Sequence, residues 1–368
     1  MPSNGPPFRA DHVGSLLRSA ALKDARSKRE AGTVGADEFK RIEDREVERV
    51  VKKQEDIGLK VVTDGEVRRA VWNIDFLKHL AGFEACVAER GVQFKGMEST
   101  RRAFRLVGKI GFSGHPTLDH FHFLKAHTRV TPKMTIPSPA IAHFRGNRDE
   151  IRRIYPDRDE YFADFAAAYR KALRAFYDAG CRYLQLDDTT WAHLCDREQR
   201  ELARSLGDDP DELPAIYAKT INAILAVKPA DMTIATHICR GNFRSTWVSQ
   251  GGYEPVAETL LAGIDYDGYF LEYDSDRAGG FEPLRFLPKG SKKVVLGLIT
   301  SKFGTLEDKD AVKRRIDEAT CYVDLDRLCL SPQCGFASTE EGNVIAEDEQ
   351  WKKLRLCVEI AEEVWGTA

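Results

Sequence analysis

The sequence lacks any run long enough to span a membrane: no stretch approaches the roughly 18 consecutive apolar residues that such a helix needs. The opening Met1-Pro2-Ser3-Asn4-Gly5-Pro6-Pro7 has no apolar segment of the kind that marks a secretory signal, so a cytoplasmic protein is expected. Excess positive charge is missing too. With 55 Lys and Arg against 58 Asp and Glu, the net charge of −3 implies no basic face and no nucleic-acid partner. Eight cysteines are spread through 368 residues without a secretory signal, and read as reduced thiols rather than a disulfide framework. Nucleotide-binding glycine patterns and the Gly-x-Ser-x-Gly elbow of hydrolases are absent, as are short repeats and low-complexity tracts. What remains is a chain 42% hydrophobic and 31% charged, suited to a large globular core.

Eight short apolar runs end in polar or charged residues: 11–15, 61–66, 134–139, 183–188, 232–239, 268–274, 293–299 and 327–331. Helical patterns at 36–57, 158–179, 210–227, 253–262, 306–323 and 340–364 separate most of them. The pattern over 158–179 carries Tyr161, Phe162, Phe165, Tyr169, Leu173 and Phe176 at helical spacing and stops at Gly180. Thr305, with Asp308 three residues on, is the expected N-cap of the helix at 306–323. Strands alternating with helices imply a parallel sheet. The expected fold is α/β, a (β/α)8 TIM barrel forming a single domain over residues 1–368, with a β-hairpin insertion after the second strand at 83–130. Active sites of such barrels lie at the C-terminal ends of the strands. Asp11, Glu66, Asp187, His237, Cys239, Glu272 and Cys334 all fall there.

The run Met232-Thr233-Ile234-Ala235-Thr236-His237-Ile238-Cys239 is the most specific of these. Side chains alternate along a strand, so His237 and Cys239 point to one side. An imidazole and a thiol side by side are ligands for a borderline-soft metal, though a core cysteine beside a hydrogen-bonded histidine would look the same. Cys334 and Glu272, at two further strand ends, complete a set of N, S, O and S donors that zinc accepts. Cys86, Cys181, Cys195, Cys321, Cys329 and Cys357 read as small hydrophobes. A rival group, His115, His120, His122 and His127, falls in the expected insertion without cysteine, and a substrate-entry role is expected there. Glu66 and Asp187 either form ion pairs with Arg9, Arg68 or Arg69, or hold a cationic group such as an amino-acid ammonium.

In these residues the chain resembles the C-terminal catalytic barrel of cobalamin-independent methionine synthases and their shorter single-barrel relatives, over about residues 8–365. His237-Ile238-Cys239 is similar to the family's His-x-Cys zinc pair. Leu271 to Arg277 is similar to the strand that supplies its glutamate ligand, and Ser331-Pro332-Gln333-Cys334-Gly335 to its Asn-Pro-Asp-Cys-Gly motif. Val13-Gly14-Ser15 matches the family's Ile-Gly-Ser, which contacts homocysteine. Asp64-Gly65-Glu66 and Leu186-Asp187-Asp188 match the segments whose acids bind the homocysteine amine. There are departures. Thr300 stands where a family histidine assists methyl transfer, and Ser138 to His143 shows no match for the tryptophan that stacks on folate. The loop after Cys239 is longer, and the N-terminal barrel of the full-length synthases is not part of this sequence.

The resemblance implies a Zn2+-dependent thiol alkyltransferase. Its first form is a homocysteine S-methyltransferase that takes a methyl group from methyltetrahydrofolate or another methyl or alkyl donor. A second form is epoxide opening by a zinc-bound thiolate, as in epoxyalkane:coenzyme M transferases. A third is a barrel with a structural zinc and no catalysis.

Overall fold

A computed structural model describes residues 5–368, so the N-terminal reading over Met1, Pro2, Ser3 and Asn4 lies outside the described residues. The strands are β1 (Val61–Val62), β2 (Ala81–Val87), β3 (Gln93–Phe94), β4 (Met97–Glu98), β5 (Arg102–Gly111), β6 (Thr131–Pro132), β7 (Met134–Pro137), β8 (Tyr183–Asp188), β9 (Thr233–Ile238), β10 (Gly268–Glu272), β11 (Lys293–Ile299) and β12 (Leu328–Pro332). β7 to β12 form a six-stranded, wholly parallel sheet in sequential order, surrounded by helices, a TIM-barrel-like core. Every residue of β7, β8, β10, β11 and β12 is buried, which explains why these strands read as near-continuous apolar runs rather than alternating ones. β1 pairs in parallel with β6, which leads directly into β7.

One layer of side chains fills the inner face: Val13, Val61, Tyr183, Ala235, Phe270, Val295 and Cys329. Lys133 joins it, with Nζ 4.6 Å from the centre of the Phe270 ring. The long helix Arg158–Asp178 covers the outer face with the six aromatic and aliphatic side chains that its periodicity exposes on one stripe. Its Tyr169 hydroxyl donates to the Pro137 carbonyl at 2.7 Å, tying helix to strand end.

Several expected boundaries move. The run 11–15 is no strand; the chain there contributes one parallel bridge, Ala10 to Leu330. Asp11 is fully buried where β7 and β8 begin, paired with Lys133 Nζ at 2.8 Å and accepting from the Tyr183 hydroxyl at 2.9 Å. It is therefore an interior ion pair and not a residue of the strand ends. β2 and β5 form an antiparallel pair enclosing the short hairpin β3–β4, but residues 117–126 are a helix that buries Phe121 and Leu124. The irregular segment thus ends well before residue 130. The helix expected from 306 starts at Lys309, because Asp308 rather than Thr305 accepts from the free backbone N–H of Ala311, at 2.8 Å. Over 253–262 the only helical element is the π-helical turn Glu258–Ala262.

Candidate metal centre and cavity

The register of the sheet brings the polar strand ends together. Asp187 lies opposite His237, Ile238 opposite Leu271, and Glu272 opposite Gly297. Neighbours in register in a parallel sheet share a face, so Asp187 and His237 point the same way, with Cys239 two residues further along that side. Gly297 lets the last ligand candidate in. A Cβ there would stand 2.7 Å from Gln333 Cα, so only glycine allows the chain leading to Cys334 to cross so close to β11.

As a result His237, Cys239, Glu272 and Cys334, all buried, place one donor atom each within 4.8 Å of one another. Among the described residues no other group of three or more potential ligands does so. The histidines at 115, 120, 122 and 127 do not gather. His115 Nε2 bonds to the Phe76 carbonyl at 2.9 Å and its ring stacks on Phe76, while His127 Nδ1 bonds to the Phe123 carbonyl at 2.7 Å. His127 thus bonds its own helix, while His115 ties its segment to Phe76.

The four donors fit a metal ion by what they lack. Both ring nitrogens of His237 and Oε2 of Glu272 are buried without a hydrogen-bond partner. Orphaned polar atoms of this kind are rare in folded proteins and call for an explanation. The sulfurs of Cys239 and Cys334 lie 3.4 Å apart. The hydrogen bond from Cys239 holds the Cys334 thiol well below its usual range, aided by His237, and the same bond with burial pushes Cys239 up. Burial would lower His237, but the neighbouring Cys334 sulfur and its charge outweigh burial and raise it. Burial raises Glu272, and the nearby Cys334 charge raises it further. Four groups that compete for protons at this range are relieved together by a divalent cation.

A cavity of about 440 Å³ opens from this cluster. Val13, Ser15, Glu66, Asp187, His237, Cys239 and Cys334 all line it. Gly14 does not, but its Cβ would meet Thr135 Cγ2 at 2.9 Å and Glu66 Oε1 at 3.0 Å, so a glycine keeps that acid in place. Glu66 sits at a positive φ of 54°, uncommon for a residue with a side chain, fixed by its N–H donating to Asp64 Oδ1 at 2.9 Å. Its oxygens accept from Thr135 Oγ1 at 2.8 Å and pair with Arg69 at 3.2 Å. The ion pair foreseen with Arg69 and the position on the cavity wall are therefore both real.

Asp187 accepts from Gln185 Nε2 at 2.7 Å through one oxygen only. Burial, then the charge of Glu66, push its carboxyl up to about 7. Two acids against one guanidinium leave this wall short of positive charge. Asp188 points away, accepting from the Thr190 backbone N–H at 2.7 Å.

The rest of the lining was not foreseen. Trp72, Phe94 and Phe243 supply aromatic surface, and Arg145 and His193 polar groups. The β3–β4 hairpin is tied to the long loop after Cys239 by Lys95 N–H donating to the Trp247 carbonyl at 2.8 Å, and by the Phe94 and Phe243 rings at 5.4 Å. Lys302 is buried behind the cluster, its Nζ donating to Asn242 Oδ1 at 3.1 Å, with no carboxylate in ion-pair range among the described residues. A lysine two residues past a strand-end Ser or Thr is too common a pattern to have singled it out.

Comparison with known proteins agrees with this geometry. Residues 8–363 match the family described as cobalamin-independent synthase, catalytic domain. YxjH of Bacillus subtilis, described as uncharacterized, is 55% identical over 360 residues, covering 98% of this chain and 95% of that protein. YxjG of the same organism is 52% identical over 363 residues, covering 98% and 95%. The crystal structure described as a putative vitamin-B12 independent methionine synthase from Listeria monocytogenes shares 44% identity and a TM-score of 0.79, covering 98% of each chain. The chain belongs to the cobalamin-independent methionine synthase family and corresponds to its catalytic domain nearly from end to end.

Proposed function

We propose that the protein is a zinc-dependent homocysteine S-methyltransferase that forms methionine. The carrying observation is that the four donors His237, Cys239, Glu272 and Cys334 converge at one end of a cavity whose wall also holds Glu66 and Asp187. Zinc bound there would act as a Lewis acid that keeps the substrate sulfur as a thiolate at neutral pH. His237, Cys239 and Cys334 would hold the zinc throughout. Glu272 would be the exchangeable one, since a carboxylate holds zinc less firmly than a thiolate and Arg277, paired with Asp274 at 3.0 Å, also lies 3.7 Å from its Oε2.

Glu66 and Asp187 bind the amino group of homocysteine between them, its ammonium supplying the positive charge that their wall lacks. Val13 packs against the aliphatic part, Gly14 keeps the backbone close to Glu66, and Ser15 offers its hydroxyl to the substrate carboxylate. Wall acids of this kind repel the sulfonate of coenzyme M, which counts against epoxide opening. The Ala10 bridge to Leu330, β1, the continuous β6–β7 and β8 to β12 together read as eight units, a (β/α)8 barrel in one domain with β2–β5 inserted after its second strand. The chain has no helix long and apolar enough to cross a membrane among its described residues, in keeping with a cytoplasmic enzyme.

The test is methionine formation from homocysteine and methyltetrahydrofolate, or another methyl donor, by the zinc-loaded protein. The reading requires turnover that chelation abolishes and zinc restores. Turnover that survives both chelation and Cys334→Ser contradicts it.

A further inference from the structure

The cavity lining carries a cation with no acid partner among the described residues. Arg145 lines the cavity and makes two side-chain hydrogen bonds, Nη2 to His193 Nε2 at 3.1 Å and to Gln199 Oε1 at 3.2 Å. Neither acceptor is charged. The bond from Arg145 takes the lone pair of His193 Nε2, and His193 Nδ1 then donates to Ser249 Oγ at 2.5 Å, so this imidazole is neutral. No carboxylate stands within 4.0 Å of the guanidinium among the described residues, whereas Arg148, three residues on, is closed by Asp208 at 2.6 Å. Burial alone moves Arg145, down to about 10, which leaves it charged at neutral pH.

The supports of Arg145 are themselves fixed. Asp196 caps the helix bearing Gln199 by accepting from its N–H at 3.0 Å, and accepts from Gln250 N–H at 2.8 Å. Ser249 and Gln250 belong to the long loop after Cys239, so that loop holds the guanidinium in place. Both hydrogens of Nη2 are thus used, and this partly buried guanidinium keeps Nε and Nη1 to offer an oxyanion. The thiol substrate is expected against Ser15, Glu66 and Asp187.

We infer that Arg145 binds a carboxylate of the alkyl donor. This rests on the methyltransferase reading and adds the residue that recognises the carboxylate of the second substrate: a single guanidinium. Affinities of the zinc-loaded protein, with homocysteine present, are measured by quenching of tryptophan fluorescence, Trp72 being in the cavity wall. The probes are methyltetrahydrofolate and its methyl esters, in which the carboxylates are neutral.

The wild type should prefer the acid roughly ten- to a hundred-fold. Arg145→Gln should abolish the preference, and Arg145→Lys should restore part of it. Equal affinity for acid and ester, binding of neither, or an unchanged ratio in Arg145→Gln overturns the inference. Zinc–sulfur coordination with homocysteine is read on the same proteins. If Arg145→Gln loses the homocysteine sulfur, the guanidinium serves the thiol and the inference also fails. If the wild type itself never gains that sulfur, it is the methyltransferase reading that fails.

Discussion

At the scale of single residues, the centre is a set of groups that are unfavourable unless something joins them. Orphaned nitrogens on His237 and an orphaned oxygen on Glu272 would each destabilise a core, and two sulfurs stand beside them, 3.4 Å apart. Cys334→Ser should therefore lower bound zinc from about one per chain to a small fraction, measured by metal analysis, and abolish methyl transfer. Glu66→Gln and Asp187→Asn should leave zinc content unchanged but raise the homocysteine KM about 10- to 100-fold each, as a charge-assisted hydrogen bond is removed. Equal KM values in steady-state assays would remove both acids from the amine site. These residues were legible because strand periodicity alone places His237 and Cys239 on one side. Arg145 and Lys302 were not, because what distinguishes them is the absence of an acid nearby, a fact of packing that no local pattern encodes.

At the scale of elements, the strands were easiest to read and the segments around them hardest. Runs such as 183–188 and 293–299 are buried throughout, so composition alone marks them. The run 11–15 looked similar but forms no strand, since Asp11 and His12 turn their polar atoms to Lys133 and to the chain itself. The insertion was overextended because its histidines and aromatics masked a helical stripe of Phe121 and Leu124. The last helix, Glu347–Trp365, shows how one side chain locks two elements: Glu347 accepts from Arg49 at 2.5 Å and Lys53 at 2.9 Å on the helix Ala36–Asp56, and from Trp351 at 2.9 Å.

Burial raises the Glu347 carboxyl, but these bonds outweigh it and hold the group at about 2 against a free value of 4.5. A carboxyl depressed in this way stabilises the fold above its unfolded value, and the stabilisation disappears as pH falls from about 4.5 toward about 2. Glu347→Gln should then melt at a lower temperature than the wild type at pH 7, with the gap narrowing through that acid window. A pH-independent gap, followed by circular dichroism, would assign the loss to packing instead.

At the scale of the whole molecule, the sheet register, the β3–β4 hairpin and the loop after Cys239 together enclose a cavity lined by Glu66 and Asp187, three of the candidate metal ligands and Arg145. A ligand that binds only the folded state stabilises it, by about 2.7 kcal/mol at 100 times its Kd. Chelation should therefore lower the melting temperature by a few degrees, and zinc but not magnesium should restore it, since two thiolates and an imidazole suit the softer ion. The central claim is that the metal-ligand cluster holds a thiol-activating zinc with one exchangeable ligand. X-ray absorption at the zinc edge tests it most directly. Without substrate the account predicts two sulfur neighbours, from Cys239 and Cys334. With homocysteine it predicts a third sulfur and the loss of an oxygen as Glu272 leaves. An unchanged shell of two sulfurs in the presence of homocysteine would contradict it.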